Sequence, residues 1–118
     1  MRTITENEYD FLLRIQSESG KDFHALGLSR QSVVEPLADG GMGSIRFTEE
    51  SASGSTRRLG SVIVQGEFDD ADGVPVSFTI NQDDGGKLFE LDLWRVDFEP
   101  LKQLPSKENE IRILPVTA

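Results

Sequence analysis

The clearest pattern in the chain is a helical stripe near its N-terminus. Apolar side chains recur there at intervals of three or four residues, the spacing of one helix face: Tyr9, Phe11, Leu12, Leu13 and Ile15. Thr5 is followed three residues later by Glu8, which is the spacing of a capping box, and Gly20 can supply the left-handed stop. The pattern predicts a helix over residues 6–19 and a shorter helical turn over residues 21–26.

After residue 30 the period of the pattern changes from 3.6 residues to 2. Val76, Phe78 and Ile80 alternate with Ser77 and Thr79, which is typical of a strand with one buried face. Segments of this kind predict five strands, over residues 31–37, 44–48, 59–68, 74–81 and 87–96. Short turns rich in Asp and Gly separate the last three segments, so we expect antiparallel hairpins there.

These elements predict an α+β fold, with the N-terminal helix packed on one face of a roughly five-stranded antiparallel sheet. We expect a single domain over residues 1–105, with a polar loop at residues 49–58. Residues 106–118 are expected to form a C-terminal tail or an added strand, because Ile111, Ile113 and Val116 alternate there. No apolar run approaches the ~20 residues of a membrane span and no targeting segment is recognised, so we expect a cytoplasmic protein.

The predicted strand over residues 87–96 divides its side chains between two faces. The side chains expected to face the helix are Phe89, Leu91 and Leu93. The side chains expected on the opposite, solvent-facing side are Glu90, Asp92 and Trp94. This alternation would leave carboxylates and one aromatic ring available to a partner.

The composition removes most catalytic chemistries. The 118 residues include no Cys and one His, so disulfides, thiolate metal sites and a Cys nucleophile are excluded. We therefore expect no cofactor, no metal ion and no enzymatic activity. Twenty-one acidic residues against twelve basic ones give a net charge of −9, which disfavours direct binding to nucleic acid or to an anionic membrane.

The negative charge is concentrated in one part of the chain. Residues 65–99 contain ten acidic and two basic residues, a net charge of −8. An aromatic side chain within a charged rim is common in protein interfaces, and opposite charge speeds the encounter of two proteins. The residues predicted to bind a partner are Glu67, Asp69, Asp70, Asp72, Asp83, Asp84, Glu90, Asp92 and Trp94.

Other chemistries compete for some of these residues. The turn at residues 69–73 resembles part of a calcium loop, but Phe68 stands where the first ligand is needed, so turn chemistry is favoured. The Gly-rich segment 40–43 lacks the Lys-Ser/Thr of a phosphate loop. A small enzyme could use His24 as a base, or Glu90 and Asp92 as a carboxylate pair.

Three segments carry a resemblance to a known family. The segments are FDDADGVPVS at residues 68–77, LFELDLWRVDF at residues 88–98 and TENEYDFL at residues 5–12. They resemble a family of small uncharacterised bacterial domains, over about residues 3–105. The resemblance implies no catalytic residues. Small acidic domains of this kind are similar, in size and charge, to the immunity proteins of toxin systems.

We therefore expect a non-enzymatic binding protein, most concretely an immunity protein that covers a basic toxin domain such as a nuclease. The partner would be a basic protein, with no direct contact to nucleic acid or membrane. One alternative is an acidic nucleic-acid mimic that regulates a DNA-binding protein. The other alternative is the small enzyme that uses His24 or the Glu90/Asp92 pair.

Overall fold

The structure is a computed structural model that describes residues 1–48, 57–105 and 110–116. Its described part contains one helix, α1 (Glu6–Ser19), and one seven-stranded sheet. The strands are β1 (Arg2–Thr3), β2 (Val33–Pro36), β3 (Ile45–Phe47), β4 (Leu59–Asp69), β5 (Pro75–Asp83), β6 (Leu88–Arg95) and β7 (Ile111–Leu114). Neighbouring strands are antiparallel, in the order β1-β2-β3-β6-β5-β4-β7.

The predicted α+β class is confirmed, and the sheet has seven strands rather than about five. The two additional strands lie at the edges of the sheet, where β1 pairs with β2 and β7 pairs with β4. Strand β7 also contacts α1. The predicted loop over residues 49–58 falls mostly on residues 49–56, which lie outside the described residues, as do residues 106–109 and 117–118 of the predicted tail.

Helix α1 has the limits that the sequence predicts, because its ends are capped as expected. The backbone N–H of Glu8 donates to Thr5 Oγ1 at 3.1 Å, and the N–H of Thr5 donates to Glu8 Oε1 at 2.9 Å. Gly20 ends the helix with φ of +77°. The helical turn predicted over residues 21–26 is present as a hydrogen-bonded turn over residues 23–27, in which the N–H groups of Leu26 and Gly27 donate to the carbonyl oxygens of Phe23 and His24. It does not extend into a helix, because nucleation is costly for so short a segment.

The core lies between α1 and one face of the sheet. Phe11 contacts Phe68 and Phe78 edge-on, with ring centroids 5.4 Å apart in each case. Gly66 lies beneath these rings, and a Cβ atom there would come 2.4 Å from the Phe78 ring and 2.6 Å from the Arg112 carbonyl oxygen. Glycine at this position therefore leaves room on β4 for the Phe78 ring of β5 and for the close approach of β7.

Strand β6 contains a bulge that the sequence does not predict. Asn81 pairs with Glu90 and Gln82 pairs with Leu88, so Phe89 is the extra residue. Phe89 is buried but does not belong to the main core cluster. The expectation that it packs with Leu91 and Leu93 is wrong, because its ring lies against two guanidinium groups: that of Arg46 at 5.4 Å and that of Arg57 at 5.2 Å.

Candidate functional site

The face of the sheet away from α1, called the open face below, carries the side chains that the sequence proposes for binding. Strands β5 and β6 place polar residues opposite one another there: Trp94 with Ser77, Asp92 with Thr79, and Glu90 with Asn81. Trp94 is 49% exposed and Asp92 is half-buried, whereas Glu90 is only 8% exposed. The expectation that all three face solvent is therefore correct for Trp94 but wrong for Glu90, which Arg46 covers.

Six of the eight acidic residues predicted to bind a partner form ion pairs inside the molecule. The pairs are Glu67 and Asp69 with Arg112, Asp70 and Asp72 with Arg95, Asp83 with Arg57, and Glu90 with Arg46. Asp84 is exposed at the β5–β6 turn. Three of these arginines, Arg46, Arg57 and Arg112, lie outside residues 65–99, so the count over that segment omits their compensating positive charge.

Arg95 is the centre of one of these clusters. Its side chain is 4% exposed, and its guanidinium group donates to Asp70 Oδ2 at 2.7 Å, to Asp72 Oδ2 at 2.6 Å and to Asp97 Oδ1 at 2.8 Å. The hydrogen bond from Arg95 lowers the pKa of Asp97 to about 2. Three carboxylates around one guanidinium leave this cluster with two uncompensated negative charges.

Asp70 fixes the acidic turn and the segment that leaves β6. Its carboxylate accepts hydrogen bonds from the backbone N–H groups of Ala71, Lys102 and Gln103, in addition to that from Arg95. Burial alone would raise the pKa of Asp70, but these hydrogen bonds outweigh it and hold the pKa below its usual value. These bonds give Asp70 a structural role, which agrees with the interpretation of residues 69–73 as a turn.

Three apolar side chains are exposed where β6 ends, and together they form what we call the aromatic platform: Trp94, Val96 and Phe98. The rings of Trp94 and Phe98 lie 5.7 Å apart. Phe98 is 67% exposed and has φ of +62°, in the left-handed region that non-glycine residues rarely adopt. Its backbone N–H donates to the carbonyl oxygen of Arg95 at 2.9 Å.

Such backbone strain costs on the order of 1–3 kcal/mol and is often stored at binding sites. Here the Arg95 cluster maintains it, because Asp97 binds Arg95 on one side and accepts the backbone N–H of Glu99 at 3.1 Å on the other. The result is an exposed Phe98 ring that lies tilted against the Trp94 ring, beside a cluster of side chains with net negative charge. Sequence reasoning favours packing of Phe98 back on the core, which is wrong because its ring is 67% exposed; the alternation of apolar and acidic residues over 96–99 was the signal that could have indicated this exposure.

A second feature of the open face is the carboxyl pair, Glu90 and Asp92. Arg46 donates to Glu90 Oε2 from Nε at 2.9 Å and from Nη2 at 2.8 Å. Asn81 donates from Nδ2 to Asp92 Oδ2 at 2.7 Å. Burial, followed by the charge of Glu90, raises the pKa of Asp92 to about 6. The pair therefore binds a proton more strongly than two exposed carboxylates would.

This pKa predicts an unusual pH dependence for Asp92. Its pKa is higher in the folded protein than in the unfolded chain, so its contribution to stability is full near pH 4 and is lost as the pH rises through 6. Replacing Asp92→Asn should therefore raise the free energy of unfolding by about 1 kcal/mol near pH 7, a value reduced from the full linkage because Asp92 is half-exposed. Near pH 4 the replacement should change stability little. Urea unfolding at both pH values measures the difference.

Asp84→Asn is the matched control. It makes the same chemical change as Asp92→Asn, but at an exposed position in the neighbouring β5–β6 turn. Carboxylates whose pKa is lowered, such as Asp70 and Asp97, act in the opposite direction, since their stabilisation is lost as the pH falls. The comparison is therefore made between each variant and the wild type at the same pH. An Asp92→Asn variant that is no more stable than Asp84→Asn near pH 7 would contradict the assignment.

The residues of the catalytic alternatives, His24 and the carboxyl pair, lie apart from the groove beside α1. His24 Nε2 is 2.9 Å from the Tyr9 hydroxyl, and its Nδ1 is 4.0 Å from Asp22 Oδ1. A groove of about 680 Å³ lies between α1 and residues 103–105, and neither His24 nor the carboxyl pair lines it.

In the Gly-rich segment, Asp39 accepts hydrogen bonds from the backbone N–H groups of Met42 and Ser44, as in a tight turn.

Residues 1–48, 57–105 and 110–116 contain no group of three or more His, Cys, Asp or Glu placed to hold a metal ion. In the same part of the chain, no helix is long and apolar enough to cross a membrane.

Comparison with known proteins gives a family. A family model described as a domain of unknown function, DUF6984, matches residues 1–105. Because the match covers most of the chain, the protein belongs to this family, and the expected resemblance to an uncharacterised domain over nearly these residues is confirmed. Neither the curated proteins nor the solved structures contain a match. Strand β7 lies beyond the matched region.

Proposed function

We propose that this member of the DUF6984 family is a non-enzymatic binding protein that docks onto a basic protein through the aromatic platform. The observation that carries the proposal is the exposed ring of Phe98, held at positive φ and in tilted contact with the ring of Trp94. A ring kept in solvent by a strained backbone does not contribute to the core. Large aromatic side chains at the centre of an interface are the residues that most often dominate binding energy.

The chemistry of the partner follows from the charge around the platform. The Arg95 cluster keeps two uncompensated negative charges, and Glu67 and Asp69 around Arg112 keep one more. The chain as a whole carries −9. A positively charged surface is complementary to this rim, and opposite charge accelerates association.

In its most specific form, the proposal is that the chain is a cytoplasmic immunity protein for a toxin domain. A nuclease is a suitable toxin because its phosphate-binding cleft is positively charged. Occlusion of that cleft needs a compact acidic domain and no catalytic group. The acidic residues then divide into two roles: Asp70, Asp83 and Glu90 hold the fold, whereas the exposed Asp69, Asp72 and Asp84 present charge to the partner.

The test is capture of a partner from the lysate of the native host, with three forms of the protein as bait. The forms are the wild type, the double variant Trp94→Ala/Phe98→Ala, and the control Val62→Ala, which removes an exposed apolar side chain from β4. We expect the wild type and Val62→Ala to retain one basic protein stoichiometrically. The double variant should bind the purified partner at least about 30-fold more weakly, since a hot spot contributes 2 kcal/mol or more.

The activity of the captured partner separates the specific proposal from its alternatives. Loss of nucleic-acid cleavage on addition of one equivalent supports the immunity role. Capture of many DNA-binding proteins, equally by the wild type and the double variant and only at low salt, would instead favour the nucleic-acid mimic. If the double variant binds the purified partner as tightly as the wild type, the platform is not the docking surface.

A further inference from the structure

The carboxyl pair and its neighbour Asn81 contain more hydrogen-bond acceptors than donors. Arg46 donates only to Oε2 of Glu90, and Asn81 donates only to Oδ2 of Asp92. The remaining contact of the pair is the hydrogen bond between the two carboxyl groups themselves, which needs one shared proton. Asn81 is only 4% exposed, yet its Oδ1 atom is buried with no hydrogen-bond partner among the described residues. A buried polar atom without a partner is uncommon in folded proteins and asks for an explanation.

We propose that this cluster of Asn81, Glu90 and Asp92 receives one basic side chain of the protein partner, by preference an arginine guanidinium, in the place of a proton. The inference rests on the proposed function, since the side chain belongs to the basic partner. A guanidinium group offers five N–H donors and no acceptor. It can therefore donate to Asp92 and, at the same time, to an oxygen of Glu90 or Asn81. The ammonium group of a lysine is a compact point charge and cannot form such a fork of parallel hydrogen bonds.

The charge of the cluster favours an occupant with one positive charge. Glu90 and Asp92 carry two negative charges, and the contact with Arg46 compensates one of them. One additional positive charge makes the site neutral. A divalent cation would leave an excess of positive charge beside Arg46, and it prefers six or more oxygen ligands.

The groups that face Asp92 come from each neighbouring strand. Glu90 lies two residues away on β6, while Asn81 and Thr79 face it from β5. Arg46 faces the pair from β3, and Glu35 on β2 is paired in register with Arg46. The raised pKa of Asp92 agrees with this arrangement, because Glu90 favours the protonated form and Arg46 opposes it.

The cluster adjoins the aromatic platform, so one partner can reach both. Asp92 and Trp94 are two residues apart on β6 and lie on the same face, a separation of about 7 Å along a strand. A guanidinium group that enters the cluster can also contact the face of the Trp94 ring, which attracts cations. Docking would then exclude water from Asp92 and strengthen its interaction with the incoming charge.

The experiment uses the whole protein and needs no identified partner. The probe is N-acetyl-arginine methylamide, and its matched control is N-acetyl-citrulline methylamide, which has nearly the same shape but no charge. The pKa of the Asp92 carboxyl group is followed by ¹³C NMR, with the side-chain amide signals of Asn81 as a second readout. Sodium chloride and magnesium chloride at equal ionic strength complete the series.

We expect the arginine probe at tens of millimolar to lower the pKa of Asp92 by about half a unit, a threefold change in proton affinity, and to move the Asn81 amide signals. Asp92→Asn should abolish the movement of those signals, whereas Asp84→Asn should preserve it. No effect, or an equal effect of the citrulline compound, would overturn the inference. A larger effect of magnesium would also overturn it, in favour of a metal site.

The outcome is separable from the test of the proposed function. If the platform variants lose the partner but the arginine probe has no effect, only the role of the cluster is rejected. If the probe binds but the platform variants keep the partner, the cluster remains a cation-binding site and the platform is rejected as the docking surface.

Discussion

Replacing Asp70→Ala should lower the free energy of unfolding by about 3–5 kcal/mol, the usual effect of breaking a buried ion pair. The side chain of Asp70 has no exposed surface, and that of Arg95 is 4% exposed. The substitution removes the acceptor of three backbone N–H groups as well as a partner of Arg95. Urea unfolding near neutral pH, analysed by linear extrapolation, measures the loss.

The neighbouring residue provides the control. Asp69 also carries a carboxylate in the same predicted binding set, but its side chain is 53% exposed and it contacts Arg112 at 3.3 Å. Asp69→Ala should therefore change stability by less than about 1 kcal/mol, as exposed ion pairs do. Asp70→Asn should be intermediate, because it keeps one acceptor oxygen but loses the charge. Equal, small losses for Asp69→Ala and Asp70→Ala would show that the Arg95 cluster does not support the fold.

The same cluster connects stability to the proposed docking surface. Asp70 binds the backbone of Lys102 and Gln103, and Arg95 binds Asp97, so both ends of the segment that carries Phe98 are attached to one buried site. Weakening that site should release the strained backbone of Phe98 before it disrupts the core. Loss of partner binding by an Asp70 variant would then not identify Asp70 as a contact residue.

Local signals in the sequence were sufficient to predict the helix and most strands. The capping box of Thr5 and Glu8 and the stop at Gly20 depend on residues close in sequence, and they define α1 correctly. The alternation of apolar and polar residues along one strand is also a local signal, so it predicts the central strands. The bulge at Phe89 was not predictable in this way, because it arises from a register shift between β5 and β6.

The candidate site was less predictable because its ion pairs join distant parts of the chain. Arg46 and Glu90 are 44 residues apart, and Arg112 and Glu67 are 45 residues apart. They meet only because β3 lies beside β6 and β7 lies beside β4. Counting charge along residues 65–99 therefore overestimates the charge that is free to meet a partner. The exposure of Trp94, by contrast, followed correctly from alternation along one strand.

Asp83 and Asp84 give the sharpest comparison between a structural and a surface carboxylate. Asp83 is buried and accepts a hydrogen bond from Arg57 Nε at 2.8 Å, with further bonds from the backbone N–H groups of Gly85 and Lys87. Arg57 also donates to the carbonyl oxygens of Phe47 and Leu88. Asp83→Ala should thus lower the free energy of unfolding by about 3–5 kcal/mol. It leaves the buried charge of Arg57 without its carboxylate and removes the acceptor of the two N–H groups in the turn. Asp84→Ala should change it by less than about 0.5 kcal/mol.

Binding should show the reverse order for these two residues. Asp84 is exposed, so its loss should slow association with a basic partner and reduce the salt dependence of the rate, with little change in unfolding. A folded Arg57→Ala/Asp83→Ala double variant, studied at low temperature, should associate at nearly the wild-type rate, because it removes both charges of one ion pair and leaves the net charge unchanged. Stopped-flow association rates at two salt concentrations test both statements. A double variant that associates as slowly as Asp84→Ala would place the Arg57–Asp83 pair in the interface after all.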